Sequence, residues 1–314
     1  MPKNTVLIVL AFFSIYVIWG STYLLNKIAV GELAPFFLAS IRFTTAGLLI
    51  FLISKILGKS LAINKKQLLN TFIVGILFLS FGNGVIVWAL RYVDSGFAAL
   101  EISAQPLVVL LLMRLLQGKR IKKMSLVGVA LGITGIILLV SQKQIVTQEG
   151  TVMGMIMIFA CMLSWAYGSL FVGKADLPEN FFVNTGYQMV TGGLTLAIMS
   201  LAFGEEWIAP TNWGEPVQWS MLLLITFGSI VAFTSFNYLL KTVSPDKVAT
   251  STYVNPIIAL FLGWYFLDEQ ITTQSLIAAA ILLTGVYFIN TTRTTISLPR
   301  FSGRVNRSKE ESKL

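Results

Sequence analysis

Leu90–Leu112 reads LRYVDSGFAALEISAQPLVVLLL, and 150 positions later Leu240–Leu262 reads LKTVSPDKVATSTYVNPIIALFL. Aligned without a gap, Leu90 meets Leu240, Val93 meets Val243, Ala99 meets Ala249, Pro106 meets Pro256, and Leu110 and Leu112 meet Leu260 and Leu262. The register continues where Ile121, Ser125, Leu126, Ala130, Thr134 and Gly135 meet Ile271, Ser275, Leu276, Ala280, Thr284 and Gly285. Leucine coincidences are cheap in apolar sequence, but the proline, the Ser-Leu pair and the Thr-Gly pair are not. The chain therefore reads as an internal duplication.

Working outward, the composition defines the solvent. Of 314 residues, 55% are apolar and only 12% charged, and mean hydropathy is +0.78. A soluble domain carries about a quarter charged residues, so this is a membrane protein. A spanning helix needs about 20 mostly apolar residues. Ten such stretches are expected: Thr5–Ile28, Ala34–Ile56, Leu68–Leu90, Gly96–Leu116, Ser125–Val140, Thr151–Val172, Phe181–Phe203, Gln218–Leu240, Val248–Leu267 and Gln274–Ile289. The first follows Lys3 but is too long for a secretory signal and lacks a small-x-small cleavage site, so it is expected to stay attached. The fold class is all-α and integral to the membrane, with ten transmembrane helices in two repeats. Residues 1–145 form the first five-helix repeat, 146–290 the second, and 291–314 a basic tail expected to be disordered. Because five is odd, the second repeat enters the membrane from the opposite side, giving the inverted architecture of secondary transporters.

Charge sets the orientation. With the N-terminus in the cytoplasm, 19 of the 23 lysines and arginines fall in cytoplasmic segments, only Lys27, Arg91 and Lys143 lie outside, and Arg42 lies within a span. Both termini are thus expected in the cytoplasm. The net charge of +9 is explained first by this topology, with contact between the basic tail and lipid head groups as the alternative, rather than by nucleic acid.

Several chemistries are missing from the chain. It contains no histidine and one cysteine, Cys161, which removes an imidazole metal site, a Ser-His or Cys-His dyad and an intramolecular disulfide. Gly58-Lys59-Ser60 is not a phosphate loop, because the position where the motif requires glycine is Ile53. No enzyme activity, cofactor or metal is expected.

Short motifs carry a family resemblance. Trp19-Gly20-Ser21-Thr22-Tyr23 with Lys27, Arg42, Ala89-Leu90-Arg91-Tyr92 leading to Ala98-Ala99 and Pro106, and Pro256 followed by Leu267-Asp268-Glu269 together resemble the drug/metabolite transporter superfamily, specifically its ten-helix EamA-type permeases. The resemblance covers residues 5–290. It implies a metabolite or amino-acid exporter of the inner membrane, with a small-molecule substrate and membrane lipids as partners. One departure is visible: the first-half position equivalent to Glu269 is Lys119, where family members often keep an acid.

The candidate site comes from polar and helix-breaking residues inside spans. Pro106 and Pro256 each remove a backbone donor and loosen a helix, and each follows a side-chain amide, Gln105 or Asn255. Two amides at symmetry-related positions near the midplane form the leading substrate region; the alternative is a packing kink whose amides bond neighbouring helices. Glu101 and Arg42 are ionisable groups inside spans and hence functional candidates. A lone Glu101 in a low-dielectric cavity can load and release a proton, whereas Glu101 paired with Arg42 stays ionised as a tie or gate. Glu101 and Gln105, one turn apart, are expected to point the same way. Asn83 between two glycines marks a loosened third span, with Ser80, Gly84 and Trp88 on one stripe; Thr234, Asn237 and Tyr238 share a face of the eighth. Trp19, Trp165 and Tyr253 add aromatic surface, while Trp207, Trp213 and Trp219 read as interface anchors. Small-residue faces at Gly128, Gly132 and Gly135 and at Ala278, Ala280 and Gly285 suit close helix contact within one chain rather than dimerisation, so a monomer or weak homodimer is expected.

The reading is a secondary active or facilitative transporter exporting amino acids or similar amphiphilic metabolites by alternating access. A channel or lipid translocator built on the same bundle is the alternative. A retinal-type receptor is disfavoured because no lysine lies mid-span.

Overall fold

The computed structural model describes residues 3–118, 123–142, 149–243, 248 and 251–291. Lys119 and the expected tail beyond Thr291 lie outside the described residues. Every regular element among them is helical. Helix α1 comprises Lys3–Phe13, a π-helical stretch Ser14–Ile18, and Trp19–Val30; α2 is Pro35–Ile56; α3 comprises Lys65–Gly75, a π-helical stretch Ile76–Gly84, and Val85–Ala89. Helix α4 is in two pieces, Ser95–Ile102 and Gln105–Gln117, followed by α5 (Lys123–Val140), α6 (Thr151–Val172) and α7 (Phe181–Ala202). Helix α8 comprises Glu215–Leu223, a π-helical stretch Leu224–Val231, and Ala232–Thr242; α9 is Ser251–Leu267 and α10 Thr273–Thr291.

Seven of these, α1 to α6 and α8, are long and apolar enough to cross a membrane; α9 and α10 are shorter apolar helices. Helix α7 has the length, at 22 residues, but its polar content is high: Asn184, Thr185, Gln188, Thr191 and Thr195. Large apolar side chains stand exposed on the outside of the bundle, among them Ile56, Leu115 and Ile198, which is the expected surface for lipid contact.

Local chemistry accounts for the helix starts and stops. Helix α2 begins with extended Ala34 and Pro35 in its first turn, where a missing N–H costs nothing. Asn64 and Gln67 form a reciprocal capping box at the start of α3, and the Asn180 side chain accepts from the Phe182 and Val183 amides at the start of α7.

Packing pairs helices across the chain's midpoint. Helix α2 lies along α7, α5 along α10, and α9 against the first piece of α4; α1 packs on α8 and α9, as α6 packs on α3 and α4. The α5–α10 seam is a close approach: a Cβ on Gly128 would stand 2.6 Å from the Gly285 carbonyl oxygen, and one on Gly285 would stand 2.7 Å from the Gly132 amide nitrogen. The small-residue faces thus meet one another inside the chain.

The loop at 31–34 and the loops between α3 and α4, α7 and α8, and α9 and α10 gather at one end of the bundle, joined by acidic side chains. Glu205 accepts from the Phe36 and Phe37 amides (3.1 and 2.8 Å), Glu32 from the Gly214 amide (2.9 Å), and Glu269 from the Ser95 and Gly96 amides (2.7 and 3.0 Å). Each carboxylate sits at the N-terminus of a helix other than its own neighbour in sequence, where orphan N–H groups and the helix dipole favour an anion. At the opposite end, Gln67 and Asn70 bond Asp176.

Trp213 departs from the expected interface role. It is 9% exposed, donates to the Ile208 carbonyl at 2.9 Å, and packs edge-on to Phe37 in the core, because the 3-10 turn Pro210–Asn212 folds the loop back over the bundle. Trp219 stays exposed, and Trp207, half-exposed, donates to Ser200.

Candidate functional site

Arg42 lies in the third turn of α2 and is 3% exposed. Its Nε donates to Ser229 Oγ of α8 at 2.8 Å, its Nη1 to Asn26 Oδ1 of α1 at 3.3 Å, and its guanidinium carbon sits 4.7 Å from the centroid of the Phe43 ring. Asn26 is oriented by its own helix, donating from Nδ2 to the Thr22 carbonyl at 2.7 Å. One turn away, Trp19 Nε1 donates to the Gly228 carbonyl at 3.3 Å and its ring packs on Phe233 and Phe236.

Glu101 is 4% exposed, on the first piece of α4, and its Oε2 is buried with no hydrogen-bond partner among the described residues. It lies within electrostatic reach of Cys161 on α6, which in turn reaches Tyr23 on α1. Glu101 and Arg42 therefore do not pair: the guanidinium is held by neutral groups of α1 and α8, while Glu101 turns toward α6. A buried polar atom without a partner is exceptional and asks for an explanation.

The two proline positions behave differently. Before Pro106 the helix breaks: α4 stops at Ile102, and Gln105 starts the second piece with Pro106 in its first turn. Pro256 lies inside the continuous α9. The amides beside them play matching parts. Gln105 Nε2 donates to the Met162 carbonyl of α6 at 3.0 Å. With its nitrogen turned toward its acceptors, Asn255 donates to the Ile15 and Tyr16 carbonyls of α1 at 2.9 Å each and to the Ser251 carbonyl at 3.2 Å. Ile15 and Tyr16 belong to the π-helical stretch of α1, where the widened turn exposes carbonyls. Each amide thus bonds a neighbouring helix, and each ties the fourth helix of one half of the chain to the first helix of the other. Glu101 and Gln105 both face α6, as expected, although the helix is interrupted between them.

The expected loosening of the third span at Asn83 is present as the π-helical stretch of α3, with Asn83 Nδ2 donating to the Phe78 carbonyl five residues back at 2.9 Å. Ser80 reaches the Gly192 carbonyl of α7 at 3.1 Å. Trp165 of α6 stacks on Phe78 at 4.3 Å and presses against Gly82, where any Cβ would meet the indole. Trp88 packs between Phe36 and Phe203. Trp19, Trp88 and Trp165 border one apolar cluster that contains Phe36, Phe43 and Phe78; Tyr253 borders a different one around Ala104 and Met162. On α8, Asn237 donates to Thr185 of α7 at 2.7 Å, and the buried Thr234 hydroxyl has no hydrogen-bond partner among the described residues.

Several participants escaped the sequence reading. Asn26 and Ser229 look ordinary in an apolar span; the 19, 22, 26 spacing of Trp, Thr and Asn on one helical face was the available signal. Lys27, expected outside the membrane, turns back and donates to the Leu90 and Val93 carbonyls at 2.7 and 2.8 Å, satisfying the end of α3. A shallow recess of about 380 Å³ lies elsewhere, in the turn after α9, lined by Trp264, Asp268, Glu269, Gln270, Ile271 and Thr272.

The inner membrane transporter YedA of Escherichia coli is 33% identical over 280 residues, covering 89% of both chains. The transporter YoaV of Bacillus subtilis is 22% identical over 90% of this chain and 96% of its own. A solved crystal structure, 19% identical, superposes with a TM-score of 0.65 over 89% of this chain and 94% of that one, so the fold is shared. The family model matches twice, over residues 6–141 and 152–291. A multi-pass helical bundle with buried polar groups at its centre and two copies of that model along its length is a membrane transporter, and the chain belongs to the EamA-like transporter family.

Proposed function

We propose that this protein is a secondary active or facilitative transporter that exports small amphiphilic metabolites, amino acids or their relatives, across the inner membrane by alternating access. In this reading residues 1–145 and 146–290 are inverted five-helix repeats, all ten helices cross the membrane, both termini are cytoplasmic, and the acid-rich end of the bundle faces outward. The observation that carries it is the exchange of amides between halves, Gln105 to Met162 and Asn255 to Ile15 and Tyr16. Equivalent residues 150 positions apart bond equivalent helices of the opposite half, a symmetry that fits a pair of inverted bundles. The seam between them holds Arg42 and Glu101. Glu101, with an oxygen that has no hydrogen-bond partner among the described residues, is the group available to take up and release a proton during the cycle; Glu101→Gln then abolishes the pH dependence of flux, and full retention of that dependence removes Glu101 from the mechanism.

The deciding experiment is counterflow in proteoliposomes with a solute enriched in the medium of overexpressing cells. A transporter gives saturable uptake accelerated by the same solute inside. The channel alternative gives unsaturated flux without counterflow, and the lipid alternative gives movement of head-group-labelled lipid between leaflets.

A further inference from the structure

Arg42 keeps its charge in any protein environment, and its immediate partners among the described residues are all neutral: Ser229, Asn26 and the Phe43 ring. A cation this far from water is costly unless paired. The site is also prepared for a further ligand. Asn26 spends its amide nitrogen on the Thr22 carbonyl, so only its oxygen points at the guanidinium and fixes it. Ser229 accepts from Nε with its oxygen, which leaves its own hydroxyl proton to donate elsewhere. The remaining nitrogen, Nη2, donates to no group among the described residues, and it lies beside Gly228, where the lack of a side chain is what leaves it uncrowded: a Cβ there would press on Nη2 at 3.3 Å and on the Thr22 methyl at 2.9 Å. Gly228 lies in the π-helical stretch of α8, and Trp19, Phe233 and Phe236 supply an aromatic wall beside it.

We propose that Arg42, steadied by Asn26 and assisted by the Ser229 hydroxyl, binds the carboxylate of the transported solute, whose apolar part lies against Trp19 and Phe236. The inference rests on the transport reading above and narrows it to carboxylate-bearing amphiphiles. A guanidinium offers parallel N–H donors that match a carboxylate, a geometry a lysine ammonium does not reproduce. The bound anion supplies the missing counter-charge, so the seam closes more readily with solute than without it.

The test loads proteoliposomes with an aqueous metabolite extract supplemented with equal L-leucine and L-leucinamide, and measures by mass spectrometry what leaves, net of protein-free vesicles. The solutes leaving wild-type vesicles are expected to carry a carboxylate, and Arg42→Gln is expected to slow them at least tenfold, with Arg42→Lys intermediate. Asn26→Asp is the decisive variant. It places a built-in carboxylate beside Arg42, so the purified protein is expected to melt no lower than wild type while carboxylate efflux falls at least tenfold. Ser229→Ala, which removes no charge, is expected to weaken efflux severalfold. Solutes without a carboxylate leaving at comparable rates, or Arg42→Gln and Asn26→Asp keeping wild-type rates within twofold, overturn the carboxylate site and leave the transporter reading intact. If nothing leaves wild-type vesicles, the transport reading itself falls and takes the site with it.

Discussion

Glu269, in the turn after α9, closes on Ser95 at the start of α4: Oε1 accepts from the Ser95 amide at 2.7 Å and Oε2 from its hydroxyl at 2.9 Å. The two residues lie 174 positions apart, in different halves of the chain. Room for the contact is made by Gly263, where a Cβ would collide with the Glu269 carboxylate and stand 2.8 Å from Ser95 Oγ. The turn after α9 is therefore fastened to α4 by a charge-assisted cap rather than by packing alone.

Opening that end of the bundle requires the contact to break. Glu269→Gln replaces an anion by an amide whose nitrogen faces donors, at a cost of about 2 kcal/mol. Gly263→Ala pushes the carboxylate away and should act in the same direction. Both are expected to lower the melting temperature in detergent, and to speed maleimide labelling of a Leu100→Cys reporter in a Cys161→Ser background, since Leu100 is buried just below the latch. Unchanged labelling in both variants would show that the latch holds nothing closed.

Asp94 lies beside the latch, in the loop before α4. Burial pushes its carboxyl above the ordinary carboxylate range, the nearby Glu269 charge adds to this, and Lys27 opposes it. A carboxyl with a raised folded-state value binds more protons folded than unfolded. Its contribution is fully present below the ordinary carboxylate range and is lost as pH rises through the raised value. Asp94→Asn is expected to melt higher than wild type at neutral pH, with the gap closing as pH falls into the carboxylate range; a gap independent of pH would remove the titration of Asp94 as its cause.

The α5–α10 seam offers a contrast between neighbouring glycines. A Cβ at Gly128 meets the Gly285 backbone oxygen at 2.6 Å, whereas one at Gly132 meets only the flexible end of Leu107 at 3.3 Å. Backbone cannot step aside, so Gly128→Ala should cost about 1–3 kcal/mol by overpacking, and Gly132→Ala should stay within about 0.5 kcal/mol. Equal thermal shifts in the two variants would contradict the seam's geometry.

The paired amides make a graded prediction. Asn255 serves three carbonyls and Gln105 one, so Asn255→Ala is expected to lower thermal stability more than Gln105→Ala. The reverse order would mean that the π-helical stretch of α1 does not depend on Asn255.

Much of this architecture is legible in the sequence. Helix positions follow from runs of apolar residues between charges and glycines, a local property, and the described helices begin and end within a few residues of the expected spans. The loosened turn around Asn83 was legible because two flanking glycines weaken a helix by themselves. The π-helical stretches of α1 and α8 were not, since Ser14–Ile18 contains no glycine or proline and Leu224–Val231 only the single Gly228, and their freed carbonyls are used by Asn255 and Trp19 from neighbouring helices.

The candidate residues divide in the same way. Arg42, Glu101, Gln105 and Asn255 stood out because charge and amide groups are scarce in spans, and scarcity is visible in one dimension. Their partners were not: a lone Glu101 and a Glu101 paired with Arg42 were equally open to the sequence, and Arg42 meets Ser229, 187 positions away, while Trp213 turns inward on Phe37. The amino-acid order alone determined a multi-span helical chain written twice, because hydropathy and repetition are carried residue by residue. Only the tertiary structure decided which buried groups touch, since a side chain's direction is set by helix rotation and packing against helices more than a hundred residues distant.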